Sequence, residues 1–348
     1  MDVTIVGGGP AGLCVGLLLK QQNPAHHVTI IDRRREGDTY GWGITLPRRT
    51  AALLEASDAP LAAGLLERSV SWHEIRVCHR GLAVQVAGMP LLGISRAAML
   101  ELFVQRCRDA GVELRFGVHV APPFEPACDL LVVAEGARGA LRAQHEADFG
   151  TVVRASVAHY AWLGTSRRFA SLSLAFEETP EGIFTAHAYP FSDTASTFIV
   201  ECTEDTLRKT GLAESTSEET CAFLSRVFVE PLQGESLRFR QPLTWRRFMR
   251  VSNARWQRQR TVLVGDAAHA LHFSIGSGTL LAIEDALALA ACLREASCIE
   301  TALKQFEAVR RPALKDYYDL EERMLNKFNG AADLLRLDPL ELAYALLA

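Results

Sequence analysis

The chain has 348 residues, 49% hydrophobic and 22% charged, with 8 cysteines and a formal net charge of −4. That length can bury a large core, and those fractions exclude a disordered chain. The slight acidic excess gives no reason to expect nucleic acid or a membrane surface as partner, and no apolar run has membrane-spanning length. The cysteines show neither C-x-x-C nor metal-ligand spacing, which predicts reduced thiols in a cytoplasmic protein and no metal site. A first strand beginning at Val3 leaves no room for a signal peptide.

That strand runs into Gly7-Gly8-Gly9-Pro10-Ala11-Gly12, followed by a helix to about Gln21. Gly7 makes a tight turn, Gly9 lets a pyrophosphate approach, and Gly12 lets helix pack on strand. A second strand, His27–Asp32, ends in an acid 20 residues past Gly12. Asp32 is therefore placed for the ribose hydroxyls of an adenosine half. Arg33, Arg34 and Arg35 follow, either as a solvated turn or as a phosphate contact.

Gly37–Thr50 is predicted to be a glycine-bearing loop ending in Pro47-Arg48-Arg49, and 50–68 to be helical with a stripe of Leu53, Leu54, Leu61, Leu65 and Leu66. Two strands, Glu74–Cys78 and Leu82–Val86, flank a turn at Arg80-Gly81. Ser95 is a candidate N-cap for the helix Ala97–Ala110, and a strand follows at Val112–Phe116. Asp129–Ala134 is a buried strand ending at Glu135-Gly136, with Arg142 downstream. From Tyr160 the pattern changes to strands at Tyr160–Thr165, Ser171–Phe176, Gly182–Tyr189 and Thr197–Cys202, then a helix Ser217–Val229. Period two puts Thr185, His187 and Tyr189 on one strand face and Ala186 and Ala188 on the other. The polar face either lines a pocket or meets solvent. Trp162 and Phe191 are either core or pocket wall. His187 is the best titratable candidate on the polar face, since a neutral imidazole can accept a proton.

Val262–Ala290 is the second glycine region. A buried strand turns at Gly265-Asp266, passes Gly276-Ser277-Gly278, and enters a long apolar helix from about Thr279. Free N–H groups at such a helix start attract anions, and the glycines admit a flat ligand against the backbone. The end of the chain is predicted as helices Ile299–Tyr318, Leu320–Asn329 and Pro339–Leu347.

Gly7–Leu13, Asp32 and the GDAAH…GSG…EDA run together resemble the FAD-dependent aromatic hydroxylases, single-component flavin monooxygenases, over nearly the whole chain. Gly41-Trp42-Gly43, Ala186–Tyr189 and His272–Gly278 resemble the branch holding salicylyl-CoA 5-hydroxylase, aminobenzoyl-CoA monooxygenases and violacein-pathway indole hydroxylases. The resemblance implies an α/β fold: a Rossmann-like FAD-binding domain (1–70, 95–154, 256–298), an inserted antiparallel-sheet substrate domain (71–94, 155–255) and C-terminal helices (299–348). It implies FAD held by Gly7, Gly9, Pro10, Ala11, Gly12, Asp32, Arg33, Arg48 or Arg49, Arg96, Gly265, Asp266, Gly276, Ser277 and Gly278. Glu135 stands where the family carries aspartate.

The implied reaction is hydroxylation of an electron-rich ring by O₂ and NAD(P)H through a flavin C4a-hydroperoxide, with His187 and Tyr189 positioning the ring. The substrate would be a salicyl- or aminobenzoyl-type thioester, or alternatively an indole. Leu337–Leu347 and Glu177-Glu178-Thr179 resemble the CoA-thioester hydroxylases. The sequence has no second dinucleotide fingerprint, so NADH or NADPH would bind transiently, and Arg167-Arg168 or Arg246-Arg247 would either meet its phosphates or lie in solvent. The enzyme is expected as a monomer or homodimer. A halogenase is disfavoured by the missing W-x-W-x-I-P run, and a non-enzymatic binder by the retained glycines.

Overall fold

A computed structural model describes residues 1–347; Ala348, the last residue of the predicted C-terminal segment, lies outside the described residues. The strands are, in chain order, β1 (Asp2–Val6), β2 (His27–Asp32), β3 (Gly43–Pro47), β4 (Ser69–His79) and β5 (Leu82–Ser95). Next come β6 (Glu113–Phe116), β7 (Leu130–Val133), β8 (Thr151–Thr165), β9 (Leu172–Thr179) and β10 (Gly182–Pro190). The last are β11 (Ser196–Cys202), β12 (Leu237–Arg238), β13 (Arg246–Asn253), β14 (Gln257–Arg258) and β15 (Thr261–Leu263).

Six strands form one sheet in the order β14-β15-β7-β1-β2-β6, parallel except for the β14/β15 pair. All four residues of β7, Leu130–Val133, are buried, as expected of a strand covered on both faces. The helix Pro10–Gln22 packs on Gly278–Glu295 and on Arg96–Ala110, which brings the two glycine regions together. Gly7 takes φ 116°, and a Cβ there would stand 2.2 Å from the Ala134 carbonyl oxygen. At Gly12 a Cβ would stand 2.0 Å from the Gly7 oxygen, so a side chain would drive helix from strand.

The second sheet runs β12-β8-β11-β10-β9-β4-β5-β3, with β13 also paired to β8. Its pairings are antiparallel except β4/β9, which is parallel. Alternation gives it two distinct faces. Ala186, Ala188, Phe198 and Val200 pack beneath Leu224 and Phe228 of the helical layer 204–232. Tyr189 and Ile199 face the other way, with Trp72, Tyr160, Trp162 and Phe273 around them. Farther along that second face, Leu174 and Phe176 pack on Leu335, Leu342 and Leu346 of the C-terminal helices.

Several expected boundaries move. The 37–50 segment contains β3, whose backbone pairs with β5. The helical stretch 50–68 breaks into Arg49–Glu55 and Ala59–Glu67, because Asp58 turns its carboxylate onto the Leu61 N–H and caps the second helix. That break rotates the stripe: Leu54, Leu61 and Leu65 are buried, whereas Leu53 and Leu66 are exposed. Ser95 precedes the helix Arg96–Ala110 without a side-chain capping bond. The helix Ile299–Ala313 ends just past Pro312, five residues before the expected Tyr318, and Lys315–Asn329 follows. The strand β13 and the helix Glu204–Thr210 were not expected. Among the described residues no helix is long and apolar enough to cross a membrane, and all eight cysteines are unpaired.

Candidate active site

The two glycine regions meet at the parallel sheet. A Cβ added to Gly265 (φ 59°) would lie 2.9 Å from the Ala11 Cβ, so the second turn rests on the first helix. Pro10 is the first residue of that helix and Gly9 its N-cap; the Leu13 N–H closes on the Gly9 carbonyl at 3.0 Å. A Cβ on Gly9 would meet nothing within 4 Å. The backbone there borders open space at a helix N-terminus, the geometry a pyrophosphate requires.

Asp32 lies at the end of β2 and is 6% exposed. Its carboxylate accepts the Gly8 N–H at 2.6 Å and the Arg34 N–H at 2.8 Å, plus two guanidinium contacts from Arg34 at 3.1 and 2.8 Å. Burial pushes this carboxyl up, but the Arg34 bonds and charge outweigh it and hold it below the usual carboxylate range. Arg34, not Arg33, closes on the acid; Arg33 is exposed.

On the second turn Asp285 is the hub. Fully buried, it accepts the Gly265 N–H at 2.9 Å, His269 Nε2 at 2.6 Å and Arg310 Nε at 2.8 Å. Asn253 Nδ2 holds the carbonyls of Ala267 and Ala268 at 3.1 and 2.6 Å. The turn carrying Asp266 is thereby fixed from both sides. Desolvation pushes the Asp266 carboxyl up, with His269 and Arg96 opposing. Ser277 is 4% exposed and its hydroxyl has no protein partner. Leaving such a group unpaired costs about 1–3 kcal/mol, so a ligand atom there is favoured. Gly276 takes φ 61° facing Thr45, and Gly278 opens the long helix beside Asp266. The open Gly9 backbone and the orphan Ser277 hydroxyl together fit a dinucleotide lying across both turns.

The 41–47 segment locks this region to the second sheet. Gly41 lies against Trp162 and Gly43 against Phe191, while Trp42 covers Gly164; a Cβ at any of the three would stand 2.2–2.6 Å from the aromatic side chain. Tyr189 Oη and Thr197 Oγ1 both donate to the Gly43 carbonyl at 3.1 Å. The Tyr189 hydroxyl thus ties strand to loop, and Trp162 and Phe191 serve as the packing surface for that loop. Arg96 donates to Thr39 Oγ1 at 3.1 Å and lies 4.6 Å above the Tyr40 ring, and its charge acts on Asp266. Arg48 is exposed; Arg49 instead bonds the Tyr317 hydroxyl. Glu135 turns back on the Leu141 N–H at 2.9 Å, and burial pushes its carboxyl up.

His187 is 5% exposed on a central strand, which removes the solvent-edge alternative for this face. Its Nε2 lies 3.1 Å from Glu201, which is not among the residues expected from sequence. The signal was available: Glu201 is the one charged residue in the buried run Ser196–Cys202. Asp285 likewise lies within the EDA run, where a buried acid on an apolar helix face needs partners. A cleft of about 620 Å³ bordered by Trp256, Lys304 and Arg311 contains none of the predicted site residues.

Comparison with known proteins agrees with this geometry. A family model described as "FAD binding domain" matches residues 1–121 and 124–320. The chain is 36% identical over 325 residues to salicyloyl-CoA 5-hydroxylase of a Streptomyces species, covering 90% of this chain and 63% of that protein's length. It is 34% identical over 318 residues to the 3-hydroxy-4-methyl-anthranilyl-[aryl-carrier protein] 5-monooxygenase of Streptosporangium sibiricum, covering 90% of this chain and 85% of the relative. The protodeoxyviolaceinate monooxygenase of Chromobacterium violaceum is 34% identical over 328 residues, with the same shares. Among solved structures, a probable FAD-dependent monooxygenase from Pseudomonas aeruginosa superposes with a TM-score of 0.76 at 19% identity, each chain covered 100%, and shares the fold. The chain belongs to the FAD-binding aromatic-hydroxylase family of flavin-dependent monooxygenases.

Proposed function

We propose that this protein hydroxylates an electron-rich aromatic ring, using FAD, O₂ and NADH or NADPH. The observation that carries the reading is the contact of the Gly265 turn on the first helix, which joins the two glycine regions that carry the open Gly9 backbone and the unpartnered Ser277 hydroxyl. Gly7–Gly12 and Asp32 would hold the adenosine and pyrophosphate half of the cofactor. Arg96, Asp266 and Gly276–Gly278 would hold the flavin half. When bound, FAD supplies the activation of O₂ and the oxygen atom for the ring. The protein's part is to exclude water and orient the ring. The aromatic packing of Trp42, Trp162 and Phe191 supports the first task, and the buried polar face around His187 supports the second.

The ring is a salicyl- or aminobenzoyl-type group carried as a CoA or carrier-protein thioester. The thioester-named relatives support this, and the violacein-pathway relative at 34% identity supports an indole as the second reading. We further assign 71–94 and 155–255 to substrate binding and the remainder up to 298 to FAD. The eight unpaired cysteines support a reducing compartment, the cytoplasm. The test is NAD(P)H oxidation with salicylyl-CoA, aminobenzoyl-CoA, the free acids and indoles under ¹⁸O₂. One label atom should enter the product of an active substrate. Label found solely in water or peroxide with every compound that stimulates oxidation overturns the reading.

A further inference from the structure

Three buried side chains on the ring side of the second sheet form one unit. Glu201 (5% exposed) receives His187 Nε2 on Oε2 at 3.1 Å, and His272 Nε2 lies 3.4 Å from its Oε1 as a close ionic neighbour; the two imidazoles are 5% and 2% exposed. His187 comes from the adjacent strand β10, whereas His272 belongs to the loop that leads into Gly276-Ser277-Gly278. The tautomer of His272 is set by its other nitrogen: Nδ1 accepts the Ser274 N–H at 3.3 Å and lies 3.0 Å from Ser274 Oγ. The hydrogen of a neutral His272 ring is therefore on Nε2, the nitrogen nearer Glu201. The same carboxylate draws the Nε2 hydrogen of His187, which leaves His187 Nδ1 with its lone pair.

We propose that Glu201 is a positioning residue for hydroxylation: it fixes the His187 imidazole as an Nε2–H donor and makes His187 Nδ1 the base for a ring hydroxyl. This rests on the hydroxylase reading above. In the step, the ring O–H bond breaks and its electron pair stays on oxygen, raising the electron density of the ring. The proton bonds to His187 Nδ1, and the resulting imidazolium is balanced by the Glu201 carboxylate, which takes no proton itself. Linkage through His272 makes the cofactor-side loop part of the same charge-coupled unit.

The surroundings support a working group over a plain anchor. A buried carboxylate needs partners, but one imidazole together with backbone would satisfy an anchor; here two imidazoles from separate elements converge on it. Burial alone would push the carboxyl up, yet the His187 hydrogen bond and the proximity of both imidazoles pull it down to about 2. Tyr160 of β8 is its cross-strand neighbour, with Arg246 and Arg138 beyond the phenol, and Thr185 neighbours it on β10. From the helix Lys315–Asn329, Glu321 accepts the His272 backbone N–H and pairs with Arg250, while Phe328 packs on the His187 ring at 5.0 Å.

The test uses the FAD-loaded enzyme and Glu201→Gln, with Glu201→Asp as rescue. Side-chain ¹⁵N NMR on the wild type should show neutral His187 and His272 both as Nε2–H tautomers. Glu201→Gln should mix the His187 tautomers while His272, held by Ser274, stays Nε2–H; it should leave flavin occupancy unchanged and move the acid limb of the coupled-product profile down by one pH unit or more, because the imidazolium loses its counter-charge. Glu201→Asp should restore most of the limb. An Nδ1–H tautomer for His187 in the wild type overturns the proposal without any variant, and so does an unshifted limb with unshifted tautomers in Glu201→Gln. If no aromatic compound is hydroxylated, the hydroxylase reading fails instead. The tautomers and the pH dependence of salicylyl-CoA binding to the oxidised holoenzyme then still report on Glu201.

Discussion

Replacing Asp285 with alanine tests whether the second glycine turn is held by a buried charge network. The substitution strips the partner from three donors at once: the Gly265 N–H, His269 Nε2 and Arg310 Nε, at 2.6–2.9 Å. Arg310 is 7% exposed and keeps Glu284 at 3.1 Å, so its charge stays buried with one carboxylate fewer. Breaking a buried pair from one side costs about 3–5 kcal/mol. For a chain of this size that corresponds to a fall of about 6–10 °C in Tm, at roughly 2 °C per kcal/mol. Asp285→Asn keeps the volume and one acceptor and should fall by about half as much.

The pH dependence carries a sign. Burial pushes the Asp285 carboxyl up, but the charge and hydrogen bonds of His269 and Arg310 bring it below its ordinary value. Its stabilisation is therefore complete above the unfolded carboxylate range and is lost as pH falls toward the lowered folded value. Asp285→Ala should flatten that part of the acid limb. The assay is thermal unfolding by near-ultraviolet circular dichroism between pH 3 and 8, with flavin absorbance after gel filtration as the second readout. A Tm within 2 °C of wild type, with full flavin occupancy, would refute the argument that this carboxylate holds the turn.

Two further predictions use the same kind of geometry. Gly9→Val should yield folded but colourless protein, since a Cβ there meets no protein atom, whereas Gly12→Val should fail to fold because its Cβ falls 2.0 Å from the Gly7 oxygen; normal flavin retention in Gly9→Val would contradict the placement of the pyrophosphate. Burial, with Glu230 adding repulsion, pushes the Glu177 carboxyl up to about 7. Wild-type stability should therefore fall as pH rises from the unfolded value through 7, and Glu177→Gln should be more stable at pH 8 by on the order of 1 kcal/mol after screening, with no difference near pH 4; equal Tm differences at both pH values would count against it.

What the sequence determined by itself was local. Gly7, Gly9, Gly12 and Asp32 announce themselves because a strand, a tight turn and a helix impose fixed spacing over some thirty residues. The two faces of Gly182–Pro190 were legible because the side-chain period of a strand does not depend on its neighbours. The membership of the chain in a flavoprotein family followed from such segments taken together. Tertiary structure decided how distant segments use one another. The period of the strand puts Tyr189 on the His187 face, but that its hydroxyl meets a carbonyl 146 residues away in sequence, in a segment expected to be loop, is fixed only by the fold. Glu201 and Asp285 gained their roles from His187, His272, His269 and Arg310, which reach them from separate strands, loops and helices. Periodicity reports whether a side chain points inward. Which polar group waits there is set by the register of neighbouring strands and the packing of helices across them, and only the folded chain fixes those.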